Sequence, residues 1–445
     1  MAKPGSVSRA GKVARSLRQQ WRKQVKRLPI QSSAWCYSRR PHRGDPIQGW
    51  KIHVSATLLS ATEVYSRARP ILAVYDALFK VPARLEVLAQ LNAGSAHFSQ
   101  VGKFLTIYPR SLTEACELAH KLHAVTRDLE GPEIPFDLRY RNKSLVYYRY
   151  GAFRKYVRGL RRGEIIFDSA GKPHQDLRAA GRAVPRWIND PFKPPQQVRS
   201  RQRTTSRLGT DFLPFRVITQ RGKGGVYEAV DLSVSPARLV IIKEGRRNGE
   251  VAWDGEDGCA RVKRESRILR QLRAADVLVP RVLDEFSHNG HRYLVLEKVG
   301  GRPLLSRNRI HPAKSSWRRA QRIVEQLRNC LWRMHATGWV WRDCKPWHIF
   351  VHRGQMHFID FEGACRPWQR QVLPWGSRKY TPPAAHKKFY RRAGASEDYY
   401  AMGVIAFQFA TGQFPPPNLG RRTALYQRAG CPDFVRALIN SLLDS

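Results

Sequence analysis

Two short segments in the last quarter of the chain carry side chains that could transfer a phosphoryl group. Residues 341–351 read WRDCKPWHIFV, and residues 358–363 read FIDFEG. Asp343 could accept a proton from an attacking hydroxyl, and Lys345 could offset charge on the transferred group. Asp360 could hold Mg²⁺ on the phosphates of a nucleotide, because Mg²⁺ prefers oxygen ligands. Each segment is ordinary on its own, so the prediction depends on what precedes them.

Two upstream segments could bind the phosphates of that nucleotide. Residues 221–227 (RGKGGVY) lie between two apparent strands, and glycines at 222, 224 and 225 would let backbone N–H groups approach phosphate closely. Lys243 ends the apolar run LVIIK, and Glu265 lies on the amphipathic segment ARVKRESRILRQL. An ion pair between Lys243 and Glu265 would position the lysine on the phosphates. Taken singly, a hairpin turn and an exposed lysine explain these residues equally well.

In this order and at these separations, the four segments resemble the protein-kinase fold over residues 215–440. The resemblance implies a bilobal fold that uses ATP, or GTP, with Mg²⁺. It also makes Gly222, Gly224, Gly225 and Lys243 nucleotide-binding residues. Glu297 in LVLEKVGG falls in the hinge region, and Asp398 in EDYYAMG matches the helix aspartate that braces the catalytic loop.

The segments depart from the kinase pattern at three positions. Trp341 replaces the usual His, and Glu362 replaces the glycine of Asp-Phe-Gly, which follows one residue later. His348 replaces the usual metal-binding Asn, as a similar His does in the lipopolysaccharide core kinases. The resemblance therefore implies Asp360 and His348 as metal ligands. A kinase without activity remains an alternative, because Mg²⁺ prefers oxygen to imidazole nitrogen.

The first half of the chain carries scattered cations on apparent strands. Lys51 and His53 alternate on one strand and therefore share a face. Lys80 ends a second strand, Lys103 begins a third, and Arg149 lies on a fourth. Together these groups would form an anion pocket, although unrelated surface charges explain them as well.

The elements that would position these cations alternate between helix and strand. We expect strands at 51–55, 78–80, 102–108 and 143–150, and helices at 60–75 and 112–129, the first capped by Ser60 with Glu63 at capping-box spacing. The fold class is therefore α+β, with one α+β domain followed by the kinase-like fold.

Residues 47–192 resemble the lyase region of class III lanthipeptide synthetases, through QGWKIHVSAT, the FK at 79–80, GKFLTIYPR, YYRYGAF and VPRWINDPF. VITQRGKGGVYEAVD and IDFEGA extend this likeness over nearly the whole chain after residue 45. That lyase region is similar to the bacterial phosphothreonine lyases. The likeness implies Lys80 as a neutral base, His53 as an imidazolium acid and Asp137 as an orienting group. It implies phosphate binding by Lys51, Lys103, Arg139 and Arg149.

This resemblance implies a peptide dehydratase. The kinase would phosphorylate Ser or Thr in a ribosomally made precursor peptide, and the first domain would then eliminate phosphate to leave dehydroalanine or dehydrobutyrine. The full synthetases continue into a cyclase, so we expect ring closure to come from a separate cyclase, to happen unaided, or not to occur. Two alternatives stay open: a Ser/Thr kinase whose first domain only recognises substrate, and a basic pseudokinase scaffold that binds an acidic partner.

Length and composition set the remaining expectations. The chain has 445 residues and a formal charge of +44, with 42% hydrophobic residues, which suffices for two cores. We expect a basic mobile arm at 1–45, a lyase-like domain at 46–192, a linker at 193–210 and a kinase-like domain at 211–445, divided into lobes at 300/301. No signal peptide, membrane span, CxxC pair or nucleic-acid module is visible, so we expect a cytoplasmic protein without specific nucleic-acid binding.

Overall fold

The structure is a computed structural model that describes residues 9–95, 97–158, 161–179, 181–193, 207–209, 211–306, 308–309, 311–369, 375–386 and 392–444. The chain divides into two compact units. The first comprises 1–228, 243–260 and 287–293, and the second comprises 229–242, 261–286 and 294–445. Most of the predicted linker at 193–210 lies outside the described residues.

Mixed helices and strands form the part of the first unit that precedes residue 193, as the predicted α+β class requires. Its helices are α1 (Arg9–Val25), α2 (Ala61–Val74), α3 (Leu85–Ala93) and α4 (Leu112–Thr126). Its strands are β1 (Ile30–Gln31), β2 (Trp35–Tyr37), β3 (Gln48–Val54), β4 (Leu78–Pro82), β5 (Leu105–Tyr108), β6 (Leu138–Arg139), β7 (Val146–Ala152), β8 (Tyr156–Arg158), β9 (Arg161–Gly163), β10 (Ile165–Phe167) and β11 (Pro173–Gln175).

Strands β1 to β7 form one antiparallel sheet in the order β1-β2-β4-β5-β3-β7-β6. Side chains alternate between the two faces of a strand, so Ile52 and Val54 of β3 point away from Lys51 and His53. Both apolar residues are fully buried, and α4 packs against β3 and β7. The sheet therefore has one apolar face under helices and one face that carries the basic residues.

The first 45 residues differ from the predicted mobile arm. Helix α1 buries Trp21, whose ring is 1% exposed and lies 5.4 Å from the ring of Tyr65. The indole N–H of Trp21 donates to the carbonyl of Pro82 at 3.1 Å. Strand β2 then pairs with β4. The prediction of an arm over this segment is wrong from Arg9 onward, because Trp21 and strand pairing give it partners; residues 1–8 lie outside the described range.

The expected helices and strands of this region are confirmed, with smaller corrections at their ends. Strand β5 begins at Leu105, so Lys103 lies in the turn before it. Ser60 is the residue before α2, but its hydroxyl donates to the carbonyl of Glu130 at 2.6 Å and accepts no N–H group of the helix. The capping-box prediction is therefore wrong at this helix.

The remaining elements follow the order of a protein kinase. A five-stranded sheet has the order β12-β13-β14-β16-β15. Its strands are β12 (Phe212–Arg221), β13 (Gly224–Asp231), β14 (Arg238–Gly245), β15 (Val282–His288) and β16 (His291–Glu297), with helix α5 (Gly258–Ala274) between β14 and β15. They are followed by β17 (Arg302–Pro303), α6 (Trp317–Ala336), β18 (Ile349–His352), β19 (Gln355–Phe358), α7 (Ser396–Thr411), α8 (Leu419–Arg428) and α9 (Asp433–Leu443).

Helix α7 is the centre of the core of the second unit. It packs against α6 and α9, and its residues from Ala401 to Ala410 are all buried. Among the helices that the structure describes, none is both long enough and apolar enough to cross a membrane.

Candidate active sites

The basic face of the seven-stranded sheet brings His53 and Lys80 together. In the strand register, Thr106 of β5 pairs with His53 of β3 on one side and with Lys80 of β4 on the other. Directly paired residues point to the same face, so the imidazole and the ammonium group flank Thr106 at two strand spacings, roughly 10 Å between their backbones. Lys51 pairs with Arg149 one step along the same face. The strand pattern alone thus places four predicted residues in two adjacent rows on one face of the sheet.

A cavity of about 780 Å³ opens on this face, and it lies wholly within the first unit. Its walls include five of the predicted residues: Lys51, His53, Lys80, Lys103 and Arg149. Eight Lys or Arg side chains line it against two acids, Asp45 and Glu164. A cavity with this charge excess attracts anions such as phosphate.

Asp137 lies behind the cavity and joins two of these residues. Its carboxylate lies 2.7 Å from Nδ1 of His53 and 3.0 Å from Nζ of Lys103, and it is 1% exposed. Burial alone would raise the pKa of the Asp137 carboxyl, but Lys103 and His53 outweigh burial and hold this pKa at about 2. The carboxylate is therefore charged at neutral pH and contacts both basic groups. Its predicted role of orienting one of them stays a prediction.

Two lysines of the cavity lack such a counter-charge. Among the residues that the structure describes, neither Lys51 nor Lys80 has an ion-pair partner, and the ammonium of Lys80 lies 4.2 Å from the ring centre of Trp35. Burial lowers the pKa of each lysine to about 8, with Arg178 adding to the effect at Lys80. A lysine with this pKa is about one-tenth neutral at pH 7, far more than an ordinary lysine, and a general base must be neutral.

The resting state of His53 differs from the expected imidazolium. Burial, followed by the charge of Lys103, lowers the pKa of His53 to about 3, although Asp137 opposes this shift. The imidazole is therefore neutral at pH 7 in the free protein. A doubly charged phosphate beside the ring would favour the protonated form and raise this pKa.

Arg149 and Arg139 have different environments. Arg149 lines the cavity, and its guanidinium forms an ion pair with the buried Asp176. Arg139 is outside the lining: it binds Glu133 at 2.6 Å and the hydroxyl of Tyr147 at 2.8 Å. The structure thus separates Arg139 from the predicted phosphate-binding set, because its guanidinium is already held by these two partners.

Sequence analysis missed several residues that line the cavity. Arg178 and Glu164 form an ion pair beside the hairpin of β10 and β11, a region where the sequence had no clear strand pattern. Trp35 lies in the segment that was predicted to be mobile. Its pairing with β4 could have been anticipated only from the short apolar run WCY.

In the second unit, Asp398 of α7 holds the backbone of the predicted catalytic segment. Its carboxylate accepts the N–H groups of Trp341 at 2.8 Å and Arg342 at 2.7 Å, and it is fully buried. His335 lies 2.9 Å away on its other side. These bonds hold Arg342 in the left-handed region at φ 69°, a conformation that a non-glycine residue adopts only when its surroundings enforce it.

The predicted catalytic and metal-binding side chains converge around His348. Lys345 Nζ lies 2.7 and 2.8 Å from the two carboxylate oxygens of Asp343. The His348 ring lies between carboxylates, with Nδ1 at 3.4 Å from Asp343 and Nε2 at 3.5 Å from Asp360. One ligand atom from each of Asp343, His348 and Asp360 lies within 4.8 Å of the others. This donor set fits a divalent cation.

Trp341 makes a polar contact despite replacing the usual His. Its indole N–H donates to the carbonyl of Asp360 at 3.0 Å, and its ring stacks on Phe361 at 5.5 Å. Asp360 has φ 68°, so this hydrogen bond helps to hold a strained backbone. Trp341, in place of the usual His, therefore links the segment that carries Asp343 to the segment that carries Asp360.

Helix α5 is tied to the segment that follows Asp360. Glu265 accepts the N–H of Phe361 at 2.9 Å, and Arg264 donates to the carbonyl of Glu362 at 2.7 Å. The Glu362 carboxylate lies 3.6 Å from Arg261 of the same helix. The Glu that replaces the usual glycine thus adds a side-chain link to α5. Lys243 lies on β14, and its predicted pairing with Glu265 stays a prediction.

The glycine-rich turn makes contacts within the protein that its spacing did not predict, and its role in nucleotide binding stays a prediction. Gly222 donates its N–H to the carbonyl of Ala93 at 3.3 Å, and a Cβ at this position would lie 1.5 Å from the carbonyl oxygen of Asn92. The N–H of Gly225 donates to the carboxylate of Glu244 at 3.0 Å, and Gly224 lies against the carbonyl of Glu244. The amides of Gly222 and Gly225 are therefore bound by protein acceptors, and the glycines are needed for close packing.

Glu297 ends β16 and binds Arg281, whose Nε lies 3.2 Å from its carboxylate. This pair occupies the side chain that was predicted at the nucleotide hinge. The backbone N–H of Glu297 also donates to the carbonyl of Arg281, at 2.9 Å.

Comparisons with known protein families give one match for the region that carries the cationic cavity and one for the region that carries Asp343, His348 and Asp360. Residues 9–204 match the family described as "RamC, N-terminal domain", and residues 216–432 match the family "Protein kinase domain". The chain therefore carries a protein kinase domain after a region that matches the RamC N-terminal domain.

Two individual relatives match the chain over different lengths. The chain is 30% identical over 396 residues to the "Probable SapB synthase" of Streptomyces coelicolor. This alignment covers 84% of the present chain and 41% of the synthase. The chain is also 30% identical over 208 residues to the serine/threonine-protein kinase PknA of Mycobacterium tuberculosis. That alignment covers 45% of the present chain and 46% of the kinase. The chain thus spans less than half the length of these curated relatives.

Proposed function

We propose that this protein dehydrates Ser and Thr residues of a ribosomally made precursor peptide in two steps. The kinase domain would first phosphorylate the side-chain hydroxyl with ATP or GTP, and the RamC N-terminal domain would then eliminate the phosphate. The observation that carries this proposal is the flanking of Thr106 by His53 and Lys80 inside one cationic cavity. The likeness to a SapB synthase supports a peptide as substrate.

In the first step, Asp343 would accept the proton of the substrate hydroxyl as its oxygen attacks the terminal phosphorus. Lys345, which already contacts Asp343, would lie close to the transferred group and offset its charge. Lys243 and Glu265 would position the nucleotide phosphates. Asp360 and His348 would hold Mg²⁺ or a similar cation, which when bound supplies charge neutralisation on the phosphates.

In the second step, neutral Lys80 would remove the Cα proton of the phosphorylated residue. The Cβ–O bond breaks, its electron pair leaves with the phosphate, and the Cα–H pair forms the new double bond. Lys51, Lys103 and Arg149 would bind the departing phosphate through charge-assisted hydrogen bonds. His53 would donate a proton to the bridging oxygen once the bound phosphate has raised its pKa. The products are dehydroalanine or dehydrobutyrine and inorganic phosphate.

The neutral state of His53 favours a second candidate function. If the imidazole stays neutral with phosphate bound, the cavity would bind phosphopeptide without cleaving it. The first domain would then recognise the product of a Ser/Thr kinase and retain it. This candidate uses the same cavity, so only the product distinguishes the two functions.

The mass of the product tests both proposals. The purified chain is incubated with nucleotide, Mg²⁺ and a candidate precursor peptide, and a second reaction starts from the synthetic phosphopeptide without nucleotide. Dehydration predicts that the first peptide loses one water per modified residue and the second loses phosphoric acid. A phosphopeptide that stays intact in both reactions would contradict elimination and support recognition. Unmodified peptide in the first reaction, across ATP and GTP, would contradict the kinase step.

A further inference from the structure

His348 places each of its two ring nitrogens next to a different carboxylate. Nδ1 lies 3.4 Å from Asp343, and Nε2 lies 3.5 Å from Asp360. The ring is about one-tenth exposed, and the backbone around it is fixed, since its N–H donates to the carbonyl of Lys345 at 2.9 Å. Ile359 donates its N–H to the carbonyl of His348 at 3.1 Å. The ring is therefore held in place before any cation binds.

A neutral imidazole has one nitrogen that donates a proton and one with a free lone pair. If Nδ1 carries the hydrogen, that hydrogen lies on the side of the Asp343 carboxylate, and the lone pair of Nε2 then points to the side of Asp360. Histidines that ligate metals commonly have this arrangement, with a carboxylate holding the nitrogen that does not bind the metal. In this chain, that outer carboxylate is the predicted proton acceptor Asp343.

We propose that His348 makes the nucleotide-bound cation site of the kinase domain selective for Mn²⁺ over Mg²⁺, with Asp343 orienting the imidazole. Mg²⁺ requires oxygen ligands and loses water reluctantly. Divalent ions of the first transition row accept imidazole nitrogen more readily. A site with carboxylate and imidazole donors therefore gains affinity for Mn²⁺ relative to one built only from oxygen. This inference rests on the proposed role of Asp360 as a cation ligand, but it does not depend on dehydration.

The test measures cation binding directly. Wild type and His348→Asn are each saturated with a non-hydrolysable ATP analogue. The Kd for Mn²⁺ is measured from the electron paramagnetic resonance signal of free Mn²⁺, and the Kd for Mg²⁺ is measured by competition. Asn supplies an amide oxygen in place of the ring nitrogen. The ratio of the Mg²⁺ Kd to the Mn²⁺ Kd should fall by about tenfold or more in the variant, as for the loss of one metal ligand contact. His311→Asn, which replaces an exposed histidine, should leave the ratio unchanged.

A spectroscopic readout keeps the inference falsifiable if His348→Asn does not fold. Bound Mn²⁺ in the wild type should show electron spin echo modulation from a directly coordinated ¹⁴N nucleus. Absence of that coupling in the wild type, or an unchanged Kd ratio in a folded His348→Asn, would overturn the proposal. Either result would leave the proposed dehydration intact, because that reaction is judged by product mass with either cation.

Discussion

The carboxylate of Asp137 lies 2.7 Å from Nδ1 of His53, and the same carboxylate binds Lys103 at 3.0 Å. One buried negative charge thus holds two basic groups of the cavity, one on β3 and one in the turn before β5. Breaking a buried ionic contact by removing one partner leaves the remaining charges uncompensated, which is costly in a low-dielectric environment. Asp137 therefore has a structural role as well as its predicted orienting role.

We predict that Asp137→Asn lowers the free energy of unfolding of the first unit by about 3–5 kcal/mol, the usual cost of breaking a buried ion pair. Thermal unfolding and hydrogen exchange across β3 and β5 would measure the loss. Asp128→Asn is the matched control, because Asp128 is 59% exposed and its pair with Arg67 is screened by solvent and should contribute little to stability. Equal effects of the two substitutions would contradict the structural role.

Lys80→Ala should separate the two proposed reactions. The kinase step uses residues of other segments, so phosphopeptide should accumulate while dehydrated peptide falls by about 10²-fold or more, the usual contribution of a general base. Mass spectrometry of a timed reaction would measure both species. Lys155→Ala is the control, since Lys155 also lines the cavity but is exposed. Loss of phosphorylation in folded Lys80→Ala would show that the division of the two reactions is wrong.

The pH dependence of elimination should report the neutral fraction of Lys80. Burial lowers the pKa of Lys80 to about 8. Below this value most of the lysine carries a proton and cannot accept another, so kcat/KM should rise by about tenfold per pH unit up to about pH 8. Above pH 8 the rise should stop, because Lys51, whose pKa burial also lowers to about 8, loses the charge that binds phosphate. The phosphopeptide reaction without nucleotide measures this profile. A kcat/KM that falls as pH rises from about 6.5 to about 8 would exclude Lys80 as the base.

The two-residue periodicity of the sequence predicted those residues of the cationic cavity that lie on regular strands. The alternation of Lys51 and His53 on β3 and the strand that carries Lys80 follow from two-residue spacing, and the register then brings them together. The surroundings of Arg139 could not be predicted in this way. Glu133 lies only six residues before it, but several arginines lie in this stretch, and periodicity does not indicate which of them binds Glu133 and the hydroxyl of Tyr147 on the paired strand.

Close packing explains the other differences from the sequence prediction. The glycines at 222 and 224 do mark close backbone approach, but the approaching groups are the carbonyls of Asn92 and Glu244, which sequence spacing cannot identify. The first 45 residues contain few apolar side chains, so their charge suggested a mobile arm. Two of those side chains, Trp21 and Val25, are nevertheless buried, because the fold supplies a surface for them.

Trp21→Ala should show that α1 is part of the folded unit. Truncation of a buried tryptophan costs about 3–5 kcal/mol, so the variant should unfold at a lower temperature and expose α1 to hydrogen exchange. Trp332→Ala is the control, because its ring is 66% exposed and its loss should change stability by less than about 0.5 kcal/mol. If α1 were a mobile arm, both substitutions would leave the unfolding temperature unchanged.

Gly222→Ala tests whether this glycine serves packing. An added Cβ would lie 1.5 Å from the carbonyl oxygen of Asn92, which belongs to backbone and cannot rotate away as a side chain can. We therefore expect a loss of about 2 kcal/mol or more in the stability of the first unit, within the range for strain in a packed core. Gly44→Ala, where nothing lies within 4 Å of the added atom, should be nearly neutral. Thermal unfolding without nucleotide is the decisive measurement. A Gly222→Ala protein that unfolds like the wild type, yet binds the ATP analogue less tightly, would return this glycine to the nucleotide site.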